Sequence, residues 1–506
     1  MRGPGEARLL ASGALLQQVA QGSGLVALLV IVTLLARRLD DVAELGAYGL
    51  VSSLSGYLLV LRNSVAAAAV RAMAGASPGA ERTSVFVVAA RLYALVGAAT
   101  GLLIAVVAVA LAGTVLDGEL ASDARIGGFG LGALIAVGIA ASINLDRLRA
   151  ERMFPTAAKA EIAAVVINLA LMVTLILGGA DLSLLIALSG ALPLLSGLIC
   201  ALLVRRFGLG ARGAPRRERH HRAAIIPTAG WLLVIELANL AMYASGRIVL
   251  GAYRTPTAIG LYEGPVRAHN LLYALGGALA VPTVPTASRY VAEGDHRRLG
   301  ELAVRGSRYT LALFVPLSVT LMTLAEPILA VWLGDRYTGG AAALTIIVSY
   351  WLVYGALILT PGFLAGAGEA RGAGLALAAA AALNLVLALL LTPELGVEGP
   401  AIATAAALVA VTPVLLRAGL RASGVSLGRL LGRAAIPAYT LGALLAGTLL
   451  AVRYGLEPET LPAVASFAVG GPLAYWAAFY ALVLDPGERA LVRGLLGSAR
   501  GRLPAD

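Results

Sequence analysis

The chain has 506 residues, of which 59% are hydrophobic and only 13% are charged, and its formal net charge is +11. A water-soluble domain carries roughly 25% charged residues, so this composition excludes a large soluble catalytic domain. The apolar content also excludes a disordered chain, because such chains lack the apolar surface needed to fold. Cys200 is the single cysteine, which excludes a disulfide framework and indicates a small buried apolar residue.

The apolar residues occur in long runs that are separated by short charged segments. Each run approaches about 20 residues, the length of helix that crosses a hydrocarbon core of about 30 Å. Because the runs are continuously apolar and not alternating, they predict helices and not the strands of a β-barrel. The sequence predicts an all-α membrane protein of about fourteen spans, at 12–36, 45–74, 84–116, 127–148, 155–178, 182–205, 224–251, 257–291, 306–334, 340–367, 372–392, 397–418, 432–453 and 461–484.

The basic residues test this map, because the cytoplasmic loops of membrane proteins are enriched in lysine and arginine. With the N-terminus inside, the predicted inner segments hold 30 of the 39 basic residues and the outer loops hold six. One missed helix would invert every later loop and destroy this asymmetry. The sequence therefore predicts a protein of the bacterial cytoplasmic membrane with both termini in the cytoplasm. The basic excess indicates contact with anionic membrane lipids and not with nucleic acid.

The longest predicted inner loop, 206–223, is rich in arginine and histidine and divides the chain. It separates a predicted N-terminal lobe of six helices, 1–205, from a C-terminal lobe of six helices, 224–418. Two additional helices at 419–484 and a cytoplasmic tail at 485–506 complete the predicted organisation. Two six-helix lobes followed by two extra helices is a transporter arrangement consistent with an internal repeat.

The sequence carries no sign of an enzyme. No Walker loop is present, and the four histidines form no metal-ligand pattern with acidic residues. We therefore expect neither catalysis nor a cofactor. The informative residues are the ionisable ones inside predicted spans, since a charge at the bilayer centre costs on the order of 3 kcal/mol on insertion scales. Such side chains are expected to face the bundle interior or a wet cavity.

These polar residues concentrate in two neighbouring predicted spans. Four residues of span seven share one helical face: Glu236, Asn239, Tyr243 and Arg247. Three residues of span eight also share one face: Glu263, Arg267 and Asn270. In span eight the glutamate precedes the arginine by four residues, the favourable order for an intrahelical pair. Span two adds Arg62 and span one adds Gln21, so the sequence predicts a polar, partly cationic interior.

Each of these residues also has a purely structural explanation. Glu263 and Arg267 could simply neutralise each other near the membrane surface. The side chains of Arg62 and Arg247 could extend to the membrane interface with their charged ends in water. Gln21 is also typical of a hydrogen bond between two packed helices.

Four stretches of the chain resemble one known family. They are LARRLDDVAELGAYGLVSSLSGYL at 35–58, IGLYEGPVRAHNLL at 259–272, PILAVWLGDRYTGGAAALTIIVSYWL at 327–352 and NLVLALLLTPELGVEGPAIATAAA at 384–407. As an ordered set they resemble the Wzx-type oligosaccharide flippases of the multidrug/oligosaccharidyl-lipid/polysaccharide exporter (MOP) superfamily. One position departs from that pattern, because Gly246 stands before Arg247 where the family often has an acidic residue.

The resemblance implies a flippase that moves an undecaprenyl-pyrophosphate-linked oligosaccharide across the cytoplasmic membrane for cell-surface polysaccharide biosynthesis. It implies a lipid-linked oligosaccharide as substrate, membrane lipids as surroundings, and glycosyltransferases or a polymerase as candidate partners. Under this hypothesis the arginines bind the pyrophosphate and the glutamates tune the local charge. The expected substrate-binding residues are Arg62, Arg247, Arg267, Glu236, Glu263, Asn239, Asn270 and Gln21.

Two alternative functions stay open at this point. The first is a cation-coupled multidrug exporter of the same superfamily, in which Glu236 could serve as the coupling carboxylate. The second belongs to another class, a non-transporting membrane scaffold for a glycan-synthesis complex. A scaffold would keep its in-span charges paired and its interior closed.

Overall fold

The structure, a computed structural model, describes residues 4–77, 79–209, 225–226, 245–280, 283–490 and 493. Within these ranges every regular element is helical, which confirms the all-α prediction. The helices of the first part are α1 Pro4–Arg38, α2 Val42–Gly75, α3 Ala80–Thr114, α4 Gly118–Ala150, α5 Phe154–Leu177, α6 Leu182–Leu188, α7 Ala191–Arg206, α8 Ser245–Tyr253 and α9 Pro256–Ala280.

The remaining helices are α10 Thr283–Ala292, α11 His296–Thr323, α12 Ala325–Trp332, α13 Ala341–Ser349, α14 Trp351–Tyr354, α15 Thr360–Gly366, α16 Ala370–Leu395, α17 Glu398–Ser423, α18 Leu427–Leu430, α19 Ile436–Leu456 and α20 Leu461–Leu482. Short 3-10 segments at Asp335–Gly340 and Gly355–Leu357 and a π segment at Leu431–Ala435 connect some of them.

Ten helical segments of the described chain are long and apolar enough to cross a membrane, and two bent helix pairs raise that number to twelve if each pair is one span. The chain is therefore a multi-pass membrane protein. Helix α9 has 25 residues but is not among these segments, because polar residues such as Glu263 and Arg267 lower its mean hydropathy. Predicted span seven lies largely outside the described residues, so the number fourteen stays a prediction.

The chain folds into two compact units. The first unit comprises Met1–Arg267 and Ala381–Thr404, and the second comprises Ala268–Ala380 and Ala405–Asp506. Helices α9, α16 and α17 each contribute residues to both units.

Helix α4 is the centre of the first unit, where it packs against α2, α3, α5, α6 and α7. Its contact with α3 depends on glycine, since a Cβ added to Gly101 or Gly132 would collide with the backbone carbonyl of the other. Backbones that approach this closely are typical of helices packed in membranes. Leu131 and Ile135 of α4 are fully buried and fill the core beside this contact.

Helix α11 is the centre of the second unit, with α19, α20, α13 and α10 packed around it. Phe314 of α11 stacks on Trp351, with ring centroids 4.4 Å apart, and Tyr350 stacks on the same indole at 4.9 Å. The Tyr350 hydroxyl lies 3.3 Å from Nδ1 of His269. These aromatic rings form the core that α11 shares with α9 and α14.

Two predicted single spans are broken at places that proline explains. The span predicted at 182–205 is α6 and α7, bent by 45°, and the span predicted at 306–334 is α11 and α12, bent by 78°. Proline removes the hydrogen bond to the carbonyl four residues earlier, and its ring crowds that carbonyl. The residue four before Pro193 is Ser189, and the residue four before Pro327 is Thr323, the last residue of α11.

Candidate functional site

A buried ion cluster joins α8 to the first half of α9. Glu263 is 1% exposed and lies between two arginines, Arg247 and Arg267. Arg247 donates from Nε to Oε1 of Glu263 at 2.6 Å and from Nη2 to Oε2 at 3.1 Å. Arg267 donates from Nε to the same Oε2 at 3.1 Å. Two guanidinium groups and one carboxylate give these three residues, the Glu263 cluster, a net charge of +1.

Gly49 of α2 makes room for this carboxylate. A Cβ at Gly49 would collide with the carboxyl group of Glu263. One turn earlier, Gly46 faces the backbone of Gly260, and Gly260 faces the carbonyl of Val42. Helix α2 and the first turns of α9 therefore pack backbone against backbone, as small residues allow. These glycines bring the Glu263 cluster directly against α2.

Polar contacts with α16 and α17 hold the start of α8. Asn384 donates from Nδ2 to Oγ of Ser245 at 3.3 Å, and the Thr404 hydroxyl donates to Oδ1 of Asn384 at 3.2 Å. Ser245 precedes Arg247 by two residues, so this contact fixes the backbone from which the Arg247 side chain extends. Asn384 and Thr404 belong to the stretch 384–407 that resembles the family pattern.

A second ion cluster lies among α2, α3, α4 and α5, and we call it the Asp146 cluster. Asp146 is 1% exposed and accepts from Nη2 of Arg62 at 2.5 Å, from the Tyr93 hydroxyl at 2.8 Å and from Nη1 of Arg149 at 3.1 Å. Arg149 also donates from Nη2 to both carboxylate oxygens of Glu161, each at 3.0 Å. Two guanidinium groups face two carboxylates, so the Asp146 cluster carries no net charge.

The two clusters lie at different positions along α2. Gly49, which contacts Glu263, and Arg62, which contacts Asp146, are separated by about 20 Å along the helix axis at 1.5 Å per residue. The structure therefore brings Arg247, Arg267 and Glu263 together, and it pairs Arg62 with a different carboxylate.

A cavity of about 310 Å³ lies beside the Asp146 cluster. Its lining comes from five helices, α1, α2, α4, α5 and α7, and includes Gly24 and apolar side chains such as Leu59, Ile139 and Leu145. The polar lining residues are Gln17, Gln21, Arg62, Asn63, Ser142, Glu161 and Ser196. The Arg62 guanidinium also donates from Nε to the Ser142 hydroxyl at 3.1 Å and from Nη1 to Oδ1 of Asn63 at 3.3 Å. Gln21, a predicted site residue, thus shares this cavity with Arg62.

The other predicted site residues have different outcomes. Glu236 and Asn239 lie outside the described residues, so their role stays a prediction. Asn270 is half-buried on α9, one turn after Arg267. The pair predicted from the four-residue spacing is present, with Nη2 of Arg267 3.0 Å from Oε2 of Glu263.

Arg62 and Arg247 are both largely buried in the described part of the chain. Their side chains are 13% and 6% exposed, and each is paired with a carboxylate. Arg247 finds its carboxylate on the next helix, although Gly246 replaces the acidic neighbour that the family pattern often has.

The sequence interpretation missed four members of the Asp146 cluster: Tyr93, Asp146, Arg149 and Glu161. Arg149 lies just after the span predicted at 127–148, whereas α4 continues to Ala150. The available signal was the three-residue spacing of Asp146 and Arg149, which places opposite charges on one helical face. No spacing in the sequence links either residue to Tyr93 or Glu161.

The fold is similar to those of solved membrane transporters. The lipid II flippase MurJ, in an inward closed conformation, aligns with a TM-score of 0.70 and 15% identity, over 92% of this chain and 99% of that chain. An inward-facing multidrug resistance MATE family transporter of the MOP superfamily aligns with a TM-score of 0.64 and 16% identity, over 78% and 94%. The Vibrio cholerae MATE transporter VcmN, in the bent form, aligns with a TM-score of 0.53 and 14% identity, over 83% and 97%.

Sequence comparison gives a family but no individual relative. No curated protein matches the chain. Residues 34–342, more than half of the chain, match the family described as polysaccharide biosynthesis protein. That range contains every residue of the Glu263 cluster and of the Asp146 cluster. The resemblance predicted from the four sequence stretches is thus confirmed, and this multi-pass helical chain, with the fold of MurJ and the MATE transporters, belongs to the polysaccharide biosynthesis protein family.

Proposed function

We propose that this chain is a flippase that moves an undecaprenyl-diphosphate-linked oligosaccharide across the cytoplasmic membrane. The observation that carries the proposal is the Glu263 cluster, a buried set of two arginines and one carboxylate whose formal charges sum to +1 among the described residues. A diphosphate that bears sugars cannot cross hydrocarbon unaided, because its polar and charged groups would lose their hydration. A buried cationic cluster supplies a place for the headgroup while the lipid tail stays in the bilayer.

Arginine is suited to this role for two reasons. Its guanidinium group stays protonated, and its planar fork matches the oxygens of a phosphate. A guanidinium has five N–H donors, so Arg267 can keep its bonds to Glu263 and still donate to a phosphate oxygen. Glu263 holds the two guanidinium groups close together before the substrate arrives, because two buried like charges without a counter-charge would repel each other.

The proposal is tested by the binding of undecaprenyl diphosphate to the purified full-length protein in detergent. A charge-assisted hydrogen bond contributes roughly 1.5–3 kcal/mol, so Arg267→Gln should weaken binding by a factor on the order of ten to a hundred. Arg267→Lys should recover only part of the affinity, because lysine keeps the charge and loses the fork. The matched control is Arg297→Gln, whose side chain is 79% exposed and pairs only distantly with Glu301.

The same measurement decides against the proposal if Arg247→Gln and Arg267→Gln both bind undecaprenyl diphosphate as Arg297→Gln does. The Glu263 cluster would then be a structural ion pair and not a headgroup site. Under the proposal, membrane glycosyltransferases supply the substrate and a polymerase consumes the translocated product.

The likeness to MATE transporters favours a second candidate, a multidrug exporter of the same superfamily. Among the described residues, the two arginines of the Glu263 cluster outnumber its carboxylate, which disfavours an organic cation at that position, because like charges repel strongly in a medium of low dielectric constant. Proteoliposomes that accumulate ethidium under an imposed ion gradient, with no movement of the lipid-linked glycan, would support the exporter. Absence of both activities would support the scaffold.

A further inference from the structure

We propose that the cavity beside the Asp146 cluster is a glycan-binding subsite, which takes uncharged sugar residues of the lipid-linked oligosaccharide. The inference rests on the proposed function and assigns a second part of the same substrate to a second place in the first unit. It gives Arg62 and Gln21 a different role from that of Arg247 and Arg267.

Charge separates the two sites. Among the described residues, the formal charges of the Glu263 cluster sum to +1, which suits a phosphate, whereas the Asp146 cluster is neutral because Arg62 and Arg149 face Asp146 and Glu161. A neutral site offers a diphosphate no net attraction. The ionised side chains of this site can still form hydrogen bonds with an uncharged ligand. Such bonds are stronger than hydrogen bonds between two neutral groups.

The polar lining groups of the cavity match the chemistry of sugar hydroxyls. A hydroxyl both donates and accepts, and side-chain amides offer both functions as well. Gln17, Gln21 and Asn63 supply amides, and Ser196 supplies a hydroxyl. The side-chain amides of Gln17 and Gln21 make no hydrogen bond to another residue that the structure describes, and Gln21 is exposed at the cavity edge.

The charged lining groups are held rigidly. Asp146, Ser142 and Asn63 each accept a hydrogen bond from the Arg62 guanidinium. Arg149 holds both carboxylate oxygens of Glu161. Groups that are fixed before the ligand arrives lose little side-chain entropy on binding, so such a site selects one ligand geometry at a low entropic cost.

Size and position agree with this assignment. The volume of about 310 Å³ is at the lower end of the roughly 300–1,000 Å³ range of small-molecule pockets. The cavity residue Arg62 lies about 20 Å along α2 from Gly49, which contacts the Glu263 cluster. A ligand that occupies both sites therefore has sugars, and not its diphosphate, at the Asp146 cluster.

A pair of glycine variants tests the inference on the full-length protein in detergent. Gly24 lines the cavity, and a Cβ built on it meets no atom within 4 Å, so Gly24→Leu should fill the cavity without a backbone clash. The matched control is Gly22→Leu on the same helix, which has equal space at Cβ and does not line the cavity. A second variant, Asn63→Ala, removes one lining amide, and Asn144→Ala is its control outside the cavity.

Three probes separate the two sites. They are undecaprenyl diphosphate, the undecaprenyl-diphosphate-linked oligosaccharide extracted from membranes of the native cells, and the free oligosaccharide released from that lipid by mild acid. Wild-type protein should bind the glycan-bearing lipid roughly 5- to 20-fold more tightly than the bare lipid, since a few hydrogen bonds are added. Gly24→Leu should lose this gain and the binding of free oligosaccharide, yet bind bare undecaprenyl diphosphate as wild type does.

The outcomes distinguish this inference from the proposed function. Retained binding of bare undecaprenyl diphosphate by Gly24→Leu shows that the variant is folded. If Gly24→Leu binds the glycan-bearing lipid as tightly as Gly22→Leu does, the glycan subsite is refuted while the flippase proposal stands. If Gly24→Leu binds both lipids equally more weakly than wild type does, the glycan subsite is also refuted. If wild-type protein binds neither lipid, the proposed function and this inference fall together.

Discussion

Glu263 is held by groups from three helices: its own neighbour Arg267 on α9, Arg247 on α8 and the space left by Gly49 on α2. Removing one partner from a buried ion pair is costly because an uncompensated charge remains. The positions of all three groups therefore depend on one another. A substitution at Gly49 tests this dependence, because it changes no charge.

Gly49→Ala should disturb the Glu263 cluster without altering its composition. The new Cβ would collide with the Glu263 carboxylate, and overpacking in a tight core typically costs about 1–3 kcal/mol. We expect a lower midpoint of thermal unfolding in detergent and weaker binding of undecaprenyl diphosphate. Gly56→Ala is the matched control on the same helix, since a Cβ there meets no atom within 4 Å. Equal unfolding midpoints for the two variants would contradict the described contact.

The sequence predicts contacts within a helix better than contacts between helices. The Glu263–Arg267 pair was predictable because four residues make nearly one full helical turn. The pairing of Glu263 with Arg247 depends on how α8 packs against α9, and the pairing of Arg62 with Asp146 joins residues that are 84 positions apart. No local periodicity encodes either contact.

At the scale of elements, hydropathy predicts where a helix is in the membrane and not where it begins. The first span was predicted to begin at 12 and the ninth at 306, whereas α1 begins at Pro4 and α11 at His296. The additional turns carry charged residues such as Glu6 and Arg297. A helix continues through such residues because its backbone hydrogen bonds do not depend on apolar side chains.

The chain after α20 is fastened to α11 by another buried carboxylate. Glu488 accepts from Arg308 and from the Tyr309 hydroxyl, the latter at 2.6 Å. Asp485 and Glu488 also form a reciprocal cap, in which the Glu488 N–H donates to Asp485 at 2.8 Å and the Asp485 N–H donates to Glu488 at 3.1 Å. Arg489 donates to the carbonyl of Leu484 at 2.9 Å.

Glu488→Gln should release this segment from α11. The substitution leaves the Arg308 guanidinium without the Glu488 carboxylate, and breaking a buried ion pair costs about 3–5 kcal/mol. We expect trypsin to cleave after Arg489 at least tenfold faster, since cleavage follows local opening. The control Glu293→Gln alters an exposed carboxylate whose arginine contacts are 3.9 Å long. An unchanged cleavage rate would contradict the anchoring role.

Acid should affect the same segment in a defined direction. The backbone N–H of Glu488 lowers the pKa of the Asp485 carboxyl below its ordinary value. A lowered pKa in the folded state means that the stabilisation is present above the ordinary pKa of about 3.9 and is lost as the pH falls through the folded value. The contribution of Asp485 to holding this segment closed against protease should thus persist at pH 5. It should disappear only below the ordinary pKa.

At the scale of the whole molecule, the distribution of 39 basic residues predicts the orientation in the membrane. Reporter fusions at residues 213 and 425 should report the cytoplasm, and fusions at 120 and 455 should report the outside. A fusion at 213 that reports the outside would refute both the orientation and the number of spans before it. The division into lobes at 1–205 and 224–418 stays a prediction. The fusion at residue 213 tests on which side of the membrane the segment between them lies.

The all-α membrane fold and the family were predictable because both follow from long apolar runs and from stretches spread along the chain. The substrate is a different matter, since the likeness to MurJ and to multidrug transporters at 14–16% identity shows a fold and no cargo. Under our proposal, the charge of a few side chains, above all Arg247, Glu263 and Arg267, distinguishes a lipid-linked glycan from a cationic drug.

The most direct test of the central claim is translocation of a fluorescently labelled undecaprenyl-diphosphate-linked oligosaccharide in proteoliposomes, read by a membrane-impermeant quencher that reaches only the outer leaflet. With wild-type protein, label should exchange between leaflets, and quenching should pass beyond the outer-leaflet half. With Arg267→Gln this exchange should slow by at least tenfold, while Arg297→Gln should match wild type. If wild-type vesicles quench no further than protein-free vesicles under every imposed ion gradient, or if Arg267→Gln translocates as fast as wild type, the account is contradicted.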